Sequence, residues 1–249
     1  MLSIIIPTLN EEKYLPLLLK SIKKQSFKDY EMIVADAGSE DKTIKIAEDY
    51  GCKIIKGGLP AKGRNEGAKA AKEDLLLFLD ADMILPFDFL SDALEKFSKK
   101  KLDIATFPIM FYGEEAKKLN KFLSKFYNTL VKTTQKFLPY ALGGVILVKK
   151  KTHQLINGFD EEIKLAEDHI YARKAKKIGK FALLETEFVL TSDRRFKKDG
   201  RLKTCSKFVL ADFYINYFGP IKSDIFKYKF AHYNEDKDKK HEPIRNKTH

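Results

Sequence analysis

Short, mostly apolar runs recur in the first third of the chain at residues 2–6, 30–35, 52–55 and 75–79, each followed by polar or charged positions. Runs of this length predict strands buried on both faces of a mostly parallel sheet. Between them the hydrophobic period lengthens. Residues 12–25 carry Leu15, Leu18, Leu19 and Ile22 at helical spacing; a second helix runs to Tyr50, with Ser39 or Asp41 as its cap and Gly51 just past its end. A third covers 62–72. Strands alternating with helices through loops of a few residues predict an α/β fold built on a doubly wound sheet.

The second half is less regular. Its pattern predicts a helix at 87–99, a strand at 103–108, a strand at 143–148 and a turn at 157–162. A helix at 165–178 stopped by Gly179, a strand at 181–190 and a helix at 203–218 ended by Gly219-Pro220 follow. Residues 116–138 form a long amphipathic segment. Leu119, Phe122, Leu123, Phe126, Tyr127, Leu130, Val131 and Phe137 oppose Lys117, Lys118, Lys121, Lys125, Lys132 and Lys136. Such a helix either packs its apolar side on the domain or lies on an anionic membrane surface. From residue 235 the chain is nearly all charged, which predicts a disordered tail. No repeat or low-complexity linker divides the rest, so one domain is expected.

Composition narrows the classes. The 249 residues are 44% hydrophobic, and the mean hydropathy of -0.35 fits a globular protein. No apolar run is long enough to span a bilayer. The start lacks a basic n-region and a cleavage site, and Cys52 and Cys205 form no metal or redox motif, so a reducing cytoplasmic location is expected. The net charge of +12 suits nucleic acid, an anionic membrane or a phosphorylated substrate. Nucleic acid is set aside, because no nucleic-acid motif occurs and the lysines are dispersed. Lysine-rich composition also accompanies thermophilic sources.

The chemistry lies at the strand ends. The run at 75–79 stops at Asp80-Ala81-Asp82, the first strand at Pro7-Thr8-Leu9-Asn10-Glu11, and the second at Asp36-Ala37-Gly38-Ser39. All three should open on one sheet edge, where ligands of such folds bind. Asp80 and Asp82 are hard donors suited to Mg2+ or Mn2+ carrying phosphate oxygens; the plainer reading is a strand cap and a solvated loop. Met83-Ile84 offers no further ligand, and His153, His169 and His232 are the distant candidates. With neither a G-x-G-x-x-G nor a Walker lysine motif, phosphates would be held by metal and by cations such as Lys62 and Arg64. Glu167 and Asp168 can be read as first-turn acids that favour a helix dipole.

Taken in order, these segments carry a resemblance. Pro7-Thr8-Leu9-Asn10-Glu11-Glu12, Asp36-Ala37-Gly38-Ser39 with Asp41, Gly63-Arg64-Asn65 with Gly67-Ala68, and Phe78-Leu79-Asp80-Ala81-Asp82 are followed by Gly143-Gly144, Asn157-Gly158-Phe159-Asp160-Glu161 and Glu167-Asp168. Over roughly residues 2 to 180 the chain resembles the family-two inverting glycosyltransferases with the GT-A fold. The resemblance implies a Rossmann-like, mostly parallel sheet in one domain. Residues 1–108 would be the donor half, 109–234 the acceptor half with the amphipathic helix, and 235–249 the tail.

It implies a nucleotide-diphosphate sugar, with UDP or GDP as nucleotide, and Mg2+ or Mn2+ as cofactor. Pro7, Thr8, Asn10, Glu11 and Asp36 would hold the nucleoside, and Arg64 the base or diphosphate. Asp80, Ala81 and Asp82 would take the metal and sugar nucleotide, with Asp82 the direct ligand. Asp168 would be the general base, with Glu167 placing a loop or the acceptor. Asn157 departs from the family by standing where a glycine is common. Thr191-Ser192-Asp193-Arg194-Arg195, with Lys197, Lys198 and Arg201, resembles a Ser-x-Arg-Arg segment of a subset of these enzymes. Arg194, Arg195 and Arg201 would then meet the diphosphate or a phosphorylated acceptor; otherwise the segment is a solvated loop.

The acceptor stays open: a sugar, a lipid-linked molecule or a phosphorylated compound. A lipid-linked one would place the chain peripherally on the inner membrane face. Two alternatives stand beside this. A nucleotidyltransferase shares the layout but usually starts with a Gly-rich loop bearing Arg and Lys, which residues 8–11 lack. A non-catalytic scaffold would be expected to lose one of Asp80, Asp82 and Asp168, and none is missing.

Overall fold

Strand β1 (Leu2–Thr8) is buried almost throughout, as its continuous apolar run demands. In this computed structural model, which describes residues 1–113, 117–135, 137, 139–141, 144–223 and 225–226, the remaining elements assemble around it. The charged tail, Gly143, His232, Lys136 and the side chain of Lys117 fall outside what is described. In chain order follow α1 (Leu15–Lys23), β2 (Tyr30–Asp36), α2 (Thr43–Asp49), β3 (Lys53–Lys56), α3 (Pro60–Ala70), β4 (Leu75–Phe78) and β5 (Met83–Ile84). Next are α4 (Phe89–Lys99), β6 (Ile104–Thr106), β7 (Ile109–Tyr112), α5 (Lys117–Thr134), β8 (Ile146–Lys149) and α6 (Lys150–Leu155). Then come α7 (Glu167–Ile178), β9 (Phe181–Leu183), β10 (Val189–Ser192), α8 (Arg194–Asp199) and α9 (Arg201–Phe218).

The main sheet has the order β3-β2-β1-β4-β8-β6-β9. β1 pairs in parallel with both β2 and β4, so their carboxyl ends share one edge. The order reverses beside β1, which makes the crevice above it the natural ligand site. β8 runs antiparallel to β4 and β6. Helix α3 lies close over β1 because Gly63 and Gly67 face it: a Cβ on Gly67 would stand 2.2 Å from Ile5 Cγ2.

The stretch at 103–108 gives β6 in the main sheet, and after Pro108 the chain enters a second sheet as β7, which lies beyond the expected strand. The expected strand at 181–190 divides into β9 and β10. Pro108 has no N–H to continue a ladder, and β7 then pairs in parallel with β10. The small sheet, ordered β5-β10-β7, fixes residues 191–195 over the acid pair, with Ser192 N–H donating to Asp82 O at 3.2 Å. Helix α6 was not expected from the pattern. Among the described residues no helix is long and apolar enough to cross a membrane.

Candidate functional site

The loops after β1 and β4, the first turn of α7 and the segment after β10 converge on a cleft of ≈ 360 Å³. Pro7, Thr8, Glu11, Arg64, Asp80, Ala81, Asp82, Glu167, Asp168, Arg194 and Arg195 all line it. The other predicted residues lie elsewhere. Lys62 is exposed and outside the lining. Asn10, in the left-handed region at φ 56, accepts the Glu40 N–H through Oδ1 and donates its own N–H to Ser39 Oγ. The Asp36 carboxylate accepts the N–H groups of Gly38 and Ser39, and Thr8 Oγ1. Both residues stitch the loop after β1 to the loop after β2, and neither lines the cleft.

Arg64 is the centre of the arrangement. Held over β1 by the two glycines, it is 3% exposed and donates through Nη2 to Asp80 Oδ1 and through Nη1 to Glu167 Oε1, both at 2.7 Å. Its guanidinium also lies 5.2 Å over the Phe159 ring. Burial alone would favour its neutral form, but Asp80, Glu167 and Asp168 overcome that and raise its pKa. Gly144 closes the site from β8's side at φ +76; a Cβ there would meet Asp80 Oδ2 at 2.7 Å and Arg64 Nη2 at 2.9 Å. The neighbouring Asn65 was not singled out from the sequence. It donates to Phe159 O and Glu161 Oε1 and accepts the Phe159 N–H, pinning the 157–161 turn against α3.

Asp168 stands at the start of α7, after Ala166 in the left-handed region at φ 59. Burial pushes its carboxyl up to about 6, Glu167 and Asp80 add to this, and His169 and Arg64 oppose it. His169, a distant metal candidate in the sequence, pairs with carboxylates on two helices. Its Nδ1 lies 3.0 Å from Asp212 Oδ1 on α9 and its Nε2 3.9 Å from Asp168 Oδ1. Burial disfavours the imidazolium, but the two aspartates prevail and raise its pKa. A row Asp212–His169–Asp168 therefore joins α9 to α7.

On the opposite side Arg194 reaches back across the cleft. Its Nη1 and Nη2 donate to the two Glu11 oxygens, each at 2.7 Å, its Nε stands 3.1 Å from Asp82 Oδ2, and it stacks on Tyr14 at 4.5 Å. Burial pushes Glu11 up to about 7 despite this fork. Asp82 is also raised, by burial first, with Asp80 adding to it and Arg194 opposing. Arg201 is placed differently: Nη2 pairs with Asp193 Oδ2 at 3.1 Å, and the residue lies outside the cleft lining. Asp193 also accepts from Asn120 Nδ2, so it organises this loop.

The donor set fits a divalent cation only in part from the protein side. Asp80 and Asp82 are hard oxygen donors facing one cleft, and a guanidinium already stands against Asp82. Among the described residues no three ligating side chains gather. A cation here would be held by the pair and completed by oxygens of a ligand or water, an arrangement typical of Mg2+ with phosphates.

The family model described as "Glycosyl transferase family 2" matches residues 3–154. Among curated proteins, the poly(ribitol-phosphate) beta-N-acetylglucosaminyltransferase TarS of Staphylococcus aureus is 31% identical over 193 residues, covering 70% of this chain and 32% of TarS. The chain thus spans about a third of that relative's length. Among solved structures, S. aureus TarS in complex with UDP-GlcNAc superposes with a TM-score of 0.63 at 24% identity, over 77% of this chain and 58% of that one. The mannosyltransferase PcManGT of Pyrobaculum calidifontis, in complex with GDP-Man and Mn2+, gives 0.68 at 17% identity over 86% and 63%.

Proposed function

Because the chain belongs to glycosyl transferase family 2 and has the GT-A fold, we propose that its cleft transfers a sugar from a nucleotide-diphosphate sugar to an acceptor with inversion. One observation carries this reading. Arg64 ties Asp80 after β4 to Glu167 opening α7, and Asp82 and Asp168 beside them line the same cleft. The ligands bound to the solved relatives, UDP-GlcNAc in TarS and GDP-Man with Mn2+ in PcManGT, support a UDP- or GDP-sugar as donor and a divalent cation as cofactor.

When bound, the cation supplies Lewis-acid stabilisation of the diphosphate leaving charge. Asp82 and Asp80 would hold it. Arg194 and Arg195 line the same cleft and supply charge for the diphosphate or for a phosphorylated acceptor. Among the described residues, Arg64 Nε is buried without a protein partner and is left as a donor for ligand. Inverting transfer needs in-line attack by an acceptor oxygen on the anomeric carbon. Asp168, with a carboxyl held near 6, is ionised at neutral pH and takes the proton of an acceptor hydroxyl as it attacks. Asp212 and His169 keep that carboxylate in place from behind.

The test is nucleoside-diphosphate release from UDP- and GDP-sugars with Mn2+ or Mg2+, slow with water and faster with acceptor. Asp82→Ala is expected to lower the rate on the order of 10²–10³-fold. Unchanged release, or equal release in EDTA, would contradict the assignment.

A further inference from the structure

Helix α5 leaves much of its apolar stripe in water. Its buried side is mixed: Asn120, Ser124 and Val131 are each 1% exposed, and Tyr127 packs against the core. Ser124 Oγ accepts the Phe111 N–H, and Asn128 bonds both the N–H and the O of Ile109. These polar side chains satisfy the edge of β7 and take up part of the inner face, beside Tyr127 and Val131. Its apolar stripe points out, with Leu119, Phe122, Phe126 and Leu130 all exposed, Phe122 at 65%. Lys118, Lys121 and Lys125 stand beside the stripe and are exposed too.

Helix α9 repeats the feature. It buries Thr204, Ala211 and Ile215 and exposes Leu210, Phe213 and Tyr217, the last at 72%. The two exposed faces meet at the cleft: Phe126 on α5 and Val209 on α9 both line it while being 55% and 62% exposed. Large aromatic surface flanked by lysine and left in water is unfavourable for a monomer and marks a binding face.

We propose that α5 and α9 dock this chain on an anionic lipid bilayer, with the cleft mouth opening into the membrane interface. Charge selects this occupant. A second copy of a chain of net charge +12 would bring two lysine rows together, whereas an anionic bilayer supplies apolar depth and negative surface at once. No described helix can span a membrane, so both lie in the interface plane. An acceptor embedded in that bilayer then reaches Asp168 directly; this consequence rests on the transferase reading, and the docking itself does not.

The test is flotation of the full chain with vesicles of phosphatidylcholine alone and of phosphatidylcholine and phosphatidylglycerol in equal parts. Binding is expected to the anionic vesicles only and to weaken with salt. The Phe122→Glu, Phe213→Glu double variant should lose it by about tenfold or more, as should Lys118→Glu, Lys121→Glu, Lys125→Glu. The lysine variant changes only exposed positions and serves if the aromatic one does not fold. Both should keep their melting temperature and their shift with UDP-GlcNAc, which separates a docking failure from a failure of the donor reading. Folded protein that floats with neither vesicle would overturn the proposal. So would a concentration-dependent dimer abolished by Phe122→Glu, which would assign the face to a second copy.

Discussion

Asp168→Asn is expected to abolish transfer to a hydroxyl acceptor, by 10²–10⁴-fold on the scale of general-base catalysis, while making the protein more stable above neutral pH. Both effects come from burial. Burial holds the carboxyl at about 6, well above the ordinary aspartate range. A folded pKa above the unfolded one means the native chain binds the extra proton between about pH 4 and 6. Stability therefore falls as pH rises through that window and stays lower beyond it. Asparagine removes the titration at little change in shape. At pH 8 the gain is about 2–3 kcal/mol, taking ~1.4 kcal/mol per pKa unit, and it vanishes below pH 4.

Urea unfolding of both proteins at pH 4 and pH 8 checks the stability half. The rate profile checks the other: kcat/KM of the wild type should rise with pH through about 6. A variant less stable than wild type at pH 8 would contradict the reading of Asp168 as a strained buried charge. Turnover retained within tenfold would instead show that the acceptor oxygen arrives already ionised, as a phosphate does, with Asp168 orienting it.

The second large effect lies at Arg64. Arg64→Met is expected to destabilise the fold by about 3–5 kcal/mol, because it leaves Asp80 and Glu167 facing each other without their shared cation. The loss is mostly the penalty of the orphaned acids, so a second change should restore part of it. In a double-mutant cycle Glu167→Gln in the Arg64→Met background should recover more than 1 kcal/mol. Lysine at 64 keeps the charge but cannot fork to both acids, and should fall between. Additive losses in the cycle would show that Arg64 does not couple to Glu167.

Much of this was readable from the chain, for identifiable reasons. The buried parallel strands around β1 announce themselves as apolar runs, and Asp80 and Asp82 stand out because such a run ends in two acids. What the sequence hides is direction. Asn10 and Asp36 have side chains that suit a ligand, yet here they satisfy backbone N–H groups of neighbouring loops. Arg194 reads as part of a basic loop, and only the fold brings it to Glu11, 183 residues away. The end of a strand at Pro108 is legible in the sequence, whereas β7 after it is not, because its partner β10 lies far along the chain. For α5, periodicity identifies two faces but not which is buried. The decisive residues were Asn120, Ser124 and Asn128, whose spacing on one side matches the unsatisfied edge of β7.

Whether Asp80 and Asp82 form a metal-dependent sugar-nucleotide site is read most directly from thermal stability against a panel of UDP-, GDP-, CDP- and TDP-sugars, with and without Mn2+. A ligand bound only by the native state raises the melting temperature by mass action. The expected result is a rise with a UDP- or GDP-sugar that requires Mn2+ and is lost in Asp82→Ala. No rise with any of them in folded protein, or a rise indifferent to both metal and Asp82, would contradict it.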